Sequence, residues 1–293
     1  MAFGLVLVVV SLSGVACSDK TNGPSSSKGP RRPVAESDSG VVARLKTPYS
    51  NIIIWDDGDY RCLAFGKRTA IQSCVHRENN LDFRYEYVRM MLAAAALVPK
   101  PKRILVLGLG GAALPTLAAK LFGDARIDVV EIDRGVFVLA KRHLYFKPTR
   151  RTRVHIEDAF KFVTRAADSK APPEYDVIWV DCFDAKHIPA HLMTDRFVTG
   201  LRRILDPAGV VVANLWSTHA SYSTSVKRYK RLFTEVWRLR GRRSSNHVLI
   251  GLRRTLPAKR ADLVTRATLL DKRLGFGSPV PLSAAIKRMV KLP

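Results

Sequence analysis

Acidic residues are scarce in this chain of 293 residues: 25 Asp and Glu stand against 49 Lys and Arg, which leaves a formal net charge of +24. Cysteine is scarcer still, with four residues and no CxxC or His-rich spacing, and this argues against a zinc site. No apolar run approaches the roughly 20 residues of a membrane-spanning helix, so a polytopic membrane protein is excluded. Hydrophobic residues still make up 47% of the chain, which excludes global disorder and collagen-like repeats.

The positive charge is concentrated near the C-terminus. Residues 226–293 carry 18 basic and 3 acidic side chains, a net +15, whereas residues 1–98 (12 basic, 9 acidic) and 99–225 (19 basic, 13 acidic) carry only +3 and +6. The basic C-terminal segment, residues 255–293, predicts a helix whose apolar face is formed by Leu263, Leu269, Leu270 and Leu274. An anionic membrane surface, nucleic acid and a solvated face all fit this pattern. Nucleic acid is the less favoured partner, because no helix-turn-helix, RRM or zinc-finger motif accompanies the charge.

Residues 1–17 predict an export signal. Residues 2–16 carry no charge, and the run ends at Gly14-Val15-Ala16-Cys17, which resembles the lipobox at which bacterial lipoproteins are lipidated on cysteine. Residues 18–46 are rich in Ser, Gly, Pro and Lys and predict a flexible linker. We therefore expect a bacterial lipoprotein anchored to the membrane, with a cytoplasmic protein as the alternative.

Residues 47–98 predict a small β-domain followed by one helix. Turn signals separate three short β-like runs, Asn51–Trp55, Tyr60–Phe65 and Arg68–Ser73. From Leu81 to Val98 apolar residues recur every three to four positions, which predicts a helix.

The two cysteines of this region flank the second hairpin. A tight turn at Gly66-Lys67 would place Cys62 opposite Ile71. A disulfide between Cys62 and Cys74 is therefore not expected.

Residues 99–254 alternate strand and helix patterns. The predicted strands are Arg103–Gly108, Ile127–Ile132, Arg153–Ile156, Tyr175–Val180 and Gly209–Asn214, closed by an antiparallel pair, Glu235–Leu239 and His247–Leu252. Apolar strands that alternate with helices predict an α/β fold with a parallel sheet covered on both faces. Ligands of such sheets bind at the carboxyl ends of the strands.

Glycines and acids stand at four of these strand ends. Gly108 and Gly110 allow a tight turn that exposes a helix N-terminus to a ligand. Glu131 ends the second strand and is suited to bind both hydroxyls of a ribose, while Ile132 is placed to pack on an adenine face. Asp158 follows the third strand and is suited to accept a hydrogen bond from an adenine amino group, with a helix N-cap as the ordinary alternative.

Two further acids, Asp181 and Asp184, follow the fourth strand. They lie where the reactive end of a bound nucleoside would be placed. The Gly108-x-Gly110-x-x-Ala113 pattern also fits a dinucleotide-binding fold, but that fold does not call for the acids after the third and fourth strands.

From about Tyr49 to Leu252 the chain resembles the spermidine synthase (polyamine aminopropyltransferase) family. The resemblance is carried by Phe83-Arg-Tyr-Glu-Tyr87, Val106-Leu-Gly-Leu-Gly-Gly111, Val129-Val-Glu-Ile-Asp133, Glu157-Asp-Ala159 and Tyr175-Asp-Val-Ile-Trp-Val-Asp181-x-x-Asp184. It implies a seven-stranded Rossmann-like sheet of the class I methyltransferase type, preceded by a small N-terminal β-domain. It also implies transfer of an aminopropyl group from decarboxylated S-adenosylmethionine to a small-molecule amine, without a metal, in a possible homodimer.

The same resemblance implies roles for individual residues. Asp181 corresponds to the acid that deprotonates the attacking amine, Tyr85 to the tyrosine that assists it, and Asp184 to a second amine-binding acid. The nucleoside would be held by the remaining motif residues, Gly108, Gly110, Gly111, Glu131, Ile132, Asp158 and Ala159.

Two motifs depart from the family pattern. Gly111 stands where the family has an aspartate that holds the aminopropyl amine, and Asp181-Cys182-Phe183-Asp184 replaces Asp-Ser-Ser-Asp, with Lys186 and His187 close behind. The missing loop aspartate favours intact S-adenosylmethionine and methyl transfer as the alternative reaction. A lipid-tethered binding protein that has kept the fold without turnover is the non-enzymatic alternative.

Overall fold

The computed structural model describes residues 39–183, 188–242, 244–256, 258–275 and 281–293. The predicted export signal and most of the predicted linker lie outside these residues, as do Asp184, Lys186 and His187. Within the described ranges no helix is long and apolar enough to cross a membrane.

A four-stranded antiparallel sheet forms the first part of the described chain. Its strands, in spatial as well as chain order, are β1 (Val41–Lys46), β2 (Asn51–Asp57), β3 (Tyr60–Phe65) and β4 (Ile71–His76). The prediction that the flexible linker extends to residue 46 is therefore wrong, because β1 pairs along its length with β2. This pairing engages the backbone groups of residues 41–46 that face β2, although their composition continues that of the linker.

The prediction against a disulfide in this sheet is also wrong. Cys62 of β3 lies directly opposite Cys74 of β4, with Cα atoms 4.0 Å apart, and the two are bonded. The connection between the strands spans residues 66–70 instead of two residues, and a register irregularity follows Leu63. Together these shifts move Ile71 opposite Ala64 and bring the cysteines into register.

The second sheet has eight strands in the order β12-β10-β11-β9-β8-β5-β6-β7. Their bounds are β5 Arg103–Leu107, β6 Arg126–Glu131, β7 Thr152–Ile156, β8 Tyr175–Val180, β9 Leu205–Trp216, β10 Glu235–Arg240, β11 Asn246–Leu252 and β12 Val290–Lys291. Strands β5 to β9 are parallel, and β10, β11 and β12 are added antiparallel. The predicted α/β fold is confirmed, with the short β12 as an eighth strand.

Helices cover both faces of this sheet. They are α1 Glu86–Ala93, α2 Ala113–Leu121, α3 Arg134–His143, α4 Ala159–Ala167, α5 Asp195–Arg203, α6 Tyr222–Leu232, α7 Arg260–Leu274 and α8 Leu282–Lys287. Successive residues of the central strands enter opposite cores: Ile104 and Val106 join one buried cluster, and Leu105 and Leu107 the other.

Helix α1 is shorter than the predicted helix from Leu81 to Val98. Before it, Phe83 bridges to Val75 and the Arg84 backbone N–H donates to the Cys74 carbonyl at 3.1 Å, so this stretch extends the small sheet. After it, Ala94–Leu97 tightens into a 3₁₀ turn. The apolar spacing that predicts a helix here also suits a stretch buried against two sheets.

The basic C-terminal segment packs on the body of the protein. Leu263, Leu270 and Leu274 of α7 are buried in the same apolar cluster as α1 and α2, whereas Leu269 is 53% exposed. The predicted apolar face of this helix is therefore confirmed for three of its four leucines.

Candidate functional site

A cavity of about 450 Å³ opens at the carboxyl ends of β5, β6 and β8, and its front wall comes from β4 and the start of α1. This volume is within the range of roughly 300–1,000 Å³ that is usual for small-molecule sites. Every predicted nucleoside-binding residue lines it: Gly108, Gly110, Gly111, Glu131, Ile132, Asp158 and Ala159. The cavity thus joins segments of the chain from Tyr49 to Leu192, which are 143 positions apart.

The glycine loop forms its floor. Gly108 has φ +91°, and a Cβ there would lie 2.2 Å from the Asp181 backbone oxygen, so only glycine fits. Gly110 is also left-handed, with φ +50°, as is Ala112, with φ +63°, which precedes α2. These turns bring the N-terminus of α2 to the cavity, where its partial positive charge and free N–H groups face a ligand.

Glu131 is buried beside this loop. One carboxylate oxygen accepts from the Leu109 N–H at 3.0 Å and the other from the Asp133 N–H at 2.9 Å. Burial raises the pKa of Glu131, while the backbone N–H groups oppose that rise. The carboxylate therefore braces the glycine loop against β6 and keeps acceptor capacity toward the cavity.

Asp158 has two partners at the adjoining strand end. One of its oxygens accepts from the Lys161 N–H at 2.9 Å and caps α4, and the other lies 3.0 Å from His191 Nε2. The helix-cap interpretation is thus confirmed, and the cavity still reaches the carboxylate. Ile132 is 37% exposed at the wall, as expected of an apolar surface that a flat ring can cover.

Asp181 lines the cavity just after β8, and one amide donor holds its side chain. Asn214 Nδ2 donates to its Oδ1 at 2.9 Å, while the nearby Tyr87 hydroxyl donates to the Gln72 carbonyl at 3.4 Å. Burial raises the pKa of Asp181 to about 6, although the Asn214 amide and the Tyr87 hydroxyl both favour the ionised form. A carboxylate with this pKa is ionised at neutral pH and is suited to accept a proton.

Tyr85 does not reach this point. Its hydroxyl lies 3.9 Å from Cys74 Sγ at the disulfide, and Tyr85 is absent from the cavity wall. The prediction that Tyr85 is the tyrosine beside Asp181 is wrong in placement, because Tyr87, which stacks against it with ring centroids 6.2 Å apart, occupies that place. Tyr85 precedes α1 with extended backbone, whereas Tyr87 is in its first turn, so the two side chains leave the chain in different directions.

Asn214 is a site residue that the sequence motifs do not include. It is the single amide in the apolar run from Val210 to Leu215, and a buried polar group in a strand requires a partner, so its position could have indicated a role. The second predicted acid, Asp184, lies outside the described residues.

Gly111 is closed to any side chain. A Cβ at this position would lie 2.3 Å from Ser73 Oγ and 2.6 Å from Ser73 Cβ, and Ser73 is itself buried. Gly111 therefore packs directly against Ser73 of β4, and an aspartate could not be accommodated at position 111 without a change in β4.

The wall of the cavity is electronegative. Four of its residues are acids, Glu131, Asp133, Asp158 and Asp181, and neither lysine nor arginine contributes to its described lining. Such a wall favours a cationic ligand. In the ranges that the structure describes, no cluster of His, Cys, Asp and Glu is arranged to hold a metal ion.

The glycine turn, the strand-end acids and the doubly covered sheet define an α/β domain of the methyltransferase-like class. The family model of the spermine/spermidine synthase domain matches residues 85–239. The chain is 35% identical over 233 residues to the polyamine aminopropyltransferase of Vibrio vulnificus, covering 78% of this chain and 77% of that protein. The chain belongs to the spermine/spermidine synthase family and is a spermidine synthase-like transferase.

Solved structures show the same fold. Human methyltransferase-like protein 13, solved in complex with SAH, aligns with a TM-score of 0.61 at 27% identity, over 66% of this chain and 94% of that chain. A probable spermidine synthase from Corynebacterium glutamicum aligns with a TM-score of 0.63 at 23% identity, over 81% and 88% of the two chains. The neighbours thus include both transferase types that the sequence leaves open.

Proposed function

We propose that the protein transfers an aminopropyl group from decarboxylated S-adenosylmethionine to a small-molecule amine. The observation that carries this proposal is Asp181, an acid with a pKa of about 6 at the reactive end of an electronegative cavity. The polyamine aminopropyltransferase of Vibrio vulnificus, similar over most of both chains, supports the choice of reaction.

Different residues of the cavity wall bind different parts of the donor. Glu131 binds the ribose hydroxyls, and Ile132 and Ala159 pack on the adenine, whose amino group donates to Asp158. Gly108 and Gly110 leave room for the nucleoside to approach the backbone. The sulfonium is then held among carboxylates, which stabilise its positive charge.

Asp181 acts on the acceptor. A neutral amine attacks the donor carbon next to sulfur, so a C–N bond forms while the C–S bond breaks and its electron pair stays on sulfur as a neutral thioether. The new ammonium gives one proton to Asp181, beside which the Tyr87 hydroxyl lies. Since the sulfonium is already an activated leaving group, correct placement of the amine contributes most of the remaining acceleration.

A second candidate reaction is methyl transfer from intact S-adenosylmethionine. The observation that favours it is Gly111, where Ser73 excludes the aspartate that would hold the aminopropyl amine of the decarboxylated donor. The same Asp181 would then take the proton from a methylated amine.

Binding and turnover separate these candidates. Calorimetry with decarboxylated S-adenosylmethionine, S-adenosylmethionine and methylthioadenosine is combined with turnover assays on putrescine. We expect binding of the decarboxylated donor, and turnover that Asp181→Asn abolishes while Asp59→Asn, the same change at an exposed turn away from the cavity, leaves it intact. Binding of intact S-adenosylmethionine alone would establish the methyltransferase candidate. Binding without turnover on any amine would identify a non-catalytic binding protein.

We also propose that the chain is exported and lipid-anchored through Cys17, with the basic C-terminal segment toward an anionic membrane surface. The Cys62–Cys74 disulfide supports export, because such bonds persist mainly in oxidising compartments. Mass spectrometry of the mature protein tests this: a diacylglyceryl-modified Cys17 at the N-terminus is expected, and an intact, unmodified Met1 would overturn the proposal.

A further inference from the structure

A chain of three side chains runs across the ends of three neighbouring strands to the cavity. Asn246 Nδ2 donates to Asn214 Oδ1 at 3.0 Å, and Asn214 Nδ2 donates to Asp181 Oδ1 at 2.9 Å. The three residues lie at the ends of neighbouring strands: Asn246 begins β11, Asn214 is near the end of β9, and Asp181 directly follows β8. The adjacency of these strands makes the chain of hydrogen bonds possible.

Asn214 is an exception among its neighbours. It is 3% exposed within a run of buried apolar residues in β9, and burying an unpartnered amide is costly. Here both ends of the amide are used, one by Asn246 and the other by Asp181, so Asn214 has little capacity left for a substrate. Asn214 therefore binds the Asp181 carboxylate and not the ligand.

The hydrogen bonds fix which way the amide of Asn214 faces. Because an ionised Asp181 can only accept, the Asn214 NH₂ group points toward it and the Asn214 oxygen toward β11, where Asn246 Nδ2 donates to that oxygen and holds the orientation. In the reversed orientation the amide oxygen would face the carboxylate, which is favourable only when the carboxyl group is protonated. Asn246 thus acts on Asp181 through Asn214.

We propose that Asn214, oriented by Asn246, is a positioning residue that aims the Asp181 carboxylate into the cavity and keeps it ionised. Among the residues that the structure describes, the other groups near Asp181 are the Tyr87 hydroxyl from α1 and the Cys182 thiol beside it in the chain. Burial and the nearby Glu131, Asp181 and Asp158 raise the pKa of Cys182 well above its usual value, so this thiol is neutral and does not replace the amide. The pair Asn214 and Tyr87 then opposes the effect of burial on the Asp181 carboxylate.

The ionisation of Asp181 can be followed without turnover. NMR titration of protein labelled with ¹³C at the aspartate carboxyl groups reports each carboxylate, and the resonance missing from Asp181→Asn assigns Asp181. We expect Asn214→Ala to raise the titration midpoint by about one to two pH units, the equivalent of one hydrogen bond to a charged group. Asn246→Ala should shift it in the same direction by less, and Asn80→Ala, an exposed asparagine on the turn before α1, should leave it unchanged.

The pH profile of kcat/KM provides the second readout. This readout rests on the proposed function, because it requires that Asp181 is the proton acceptor of the reaction. In Asn214→Ala the acidic limb should move to higher pH, with a loss of about tenfold near pH 6 that largely recovers by pH 8.5. A midpoint in Asn214→Ala equal to that of the parent protein would overturn the proposal, and an unshifted Asn246→Ala would remove Asn246 from it.

The two proposals fail in different ways. A shifted midpoint in a protein that turns over no amine would confirm the positioning role and refute the proposed function. Turnover with unshifted midpoints, or a loss of activity in Asn214→Ala that is uniform across pH, would confirm the proposed function and refute the positioning role. Asn246 is partly exposed, so Asn246→Ala is expected to fold; where Asn214→Ala does not fold, an unshifted midpoint in Asn246→Ala overturns the proposal.

Discussion

Replacing Asp181 by Asn is expected to stabilise the protein at neutral pH while abolishing turnover. The reason is that the folded protein holds Asp181 at a pKa of about 6, above its usual value of 3.8. An unfolded chain releases this proton near pH 3.8, but the folded chain retains it until about pH 6. Stability therefore falls as pH rises from about 3.8 to about 6, and above pH 6 the loss is complete.

The size of this loss follows from the two pKa values. Their difference of roughly two corresponds to about 3 kcal/mol when each pKa unit is worth 1.36 kcal/mol. Asp181 faces an open cavity, and water there screens part of the effect, so we expect Asp181→Asn to gain about 1–3 kcal/mol above pH 6. The gain should shrink to a small remainder near pH 4, where the folded parent protein is protonated and the unfolded chain is about half protonated.

Urea unfolding of the oxidised protein, measured from pH 4 to pH 8 for Asp181→Asn and its parent, tests this reasoning. Asp59→Asn, at an exposed turn, serves as the control and should show no such gain at any pH. The reasoning would be refuted by an Asp181→Asn variant that is less stable than the parent at pH 8, or by a gain that does not shrink toward pH 4. Either result would show that the ionised Asp181 carboxylate does not lower the free energy of unfolding.

The glycine loop and the disulfide lead to three further predictions. Gly108→Ala should abolish nucleoside binding by calorimetry and lower stability by more than Gly58→Ala, which carries a similar positive φ but meets no atom within 4 Å; equal effects of the two would contradict the steric argument. Gly111→Asp should be tolerated only together with Ser73→Gly, and only that double variant should gain affinity for decarboxylated S-adenosylmethionine over the intact nucleoside. Cys74→Ser should lower the free energy of unfolding by about 2–4 kcal/mol in oxidising buffer, and dithiothreitol should remove this difference.

Local patterns suffice for the fold and for most of the cavity wall. Apolar strands that alternate with amphipathic helices predict a parallel sheet, and parallel strands bring their carboxyl ends to one edge. Gly108, Glu131, Asp158 and Asp181 each end or follow such a strand. The sequence alone therefore predicts that they meet in one cavity, and they do. The charge excess of residues 226–293 could likewise be separated from the acidic cavity by counting.

Register and side-chain direction could not be obtained in this way. A longer connection and one register irregularity between β3 and β4 bring Cys62 opposite Cys74, and no local pattern indicates such a shift. The choice between Tyr85 and Tyr87 depends on where α1 begins, because one turn of helix redirects a side chain.

Periodicity and the chemistry of single residues are sufficient to predict the class of fold, the order of the strand ends and the acids that they carry. Which groups touch those acids depends on tertiary contacts. The Asn246–Asn214–Asp181 chain joins residues up to 65 positions apart, and Ser73 meets Gly111 across two different sheets. Such contacts are set by the packing of whole elements, which short-range spacing does not encode.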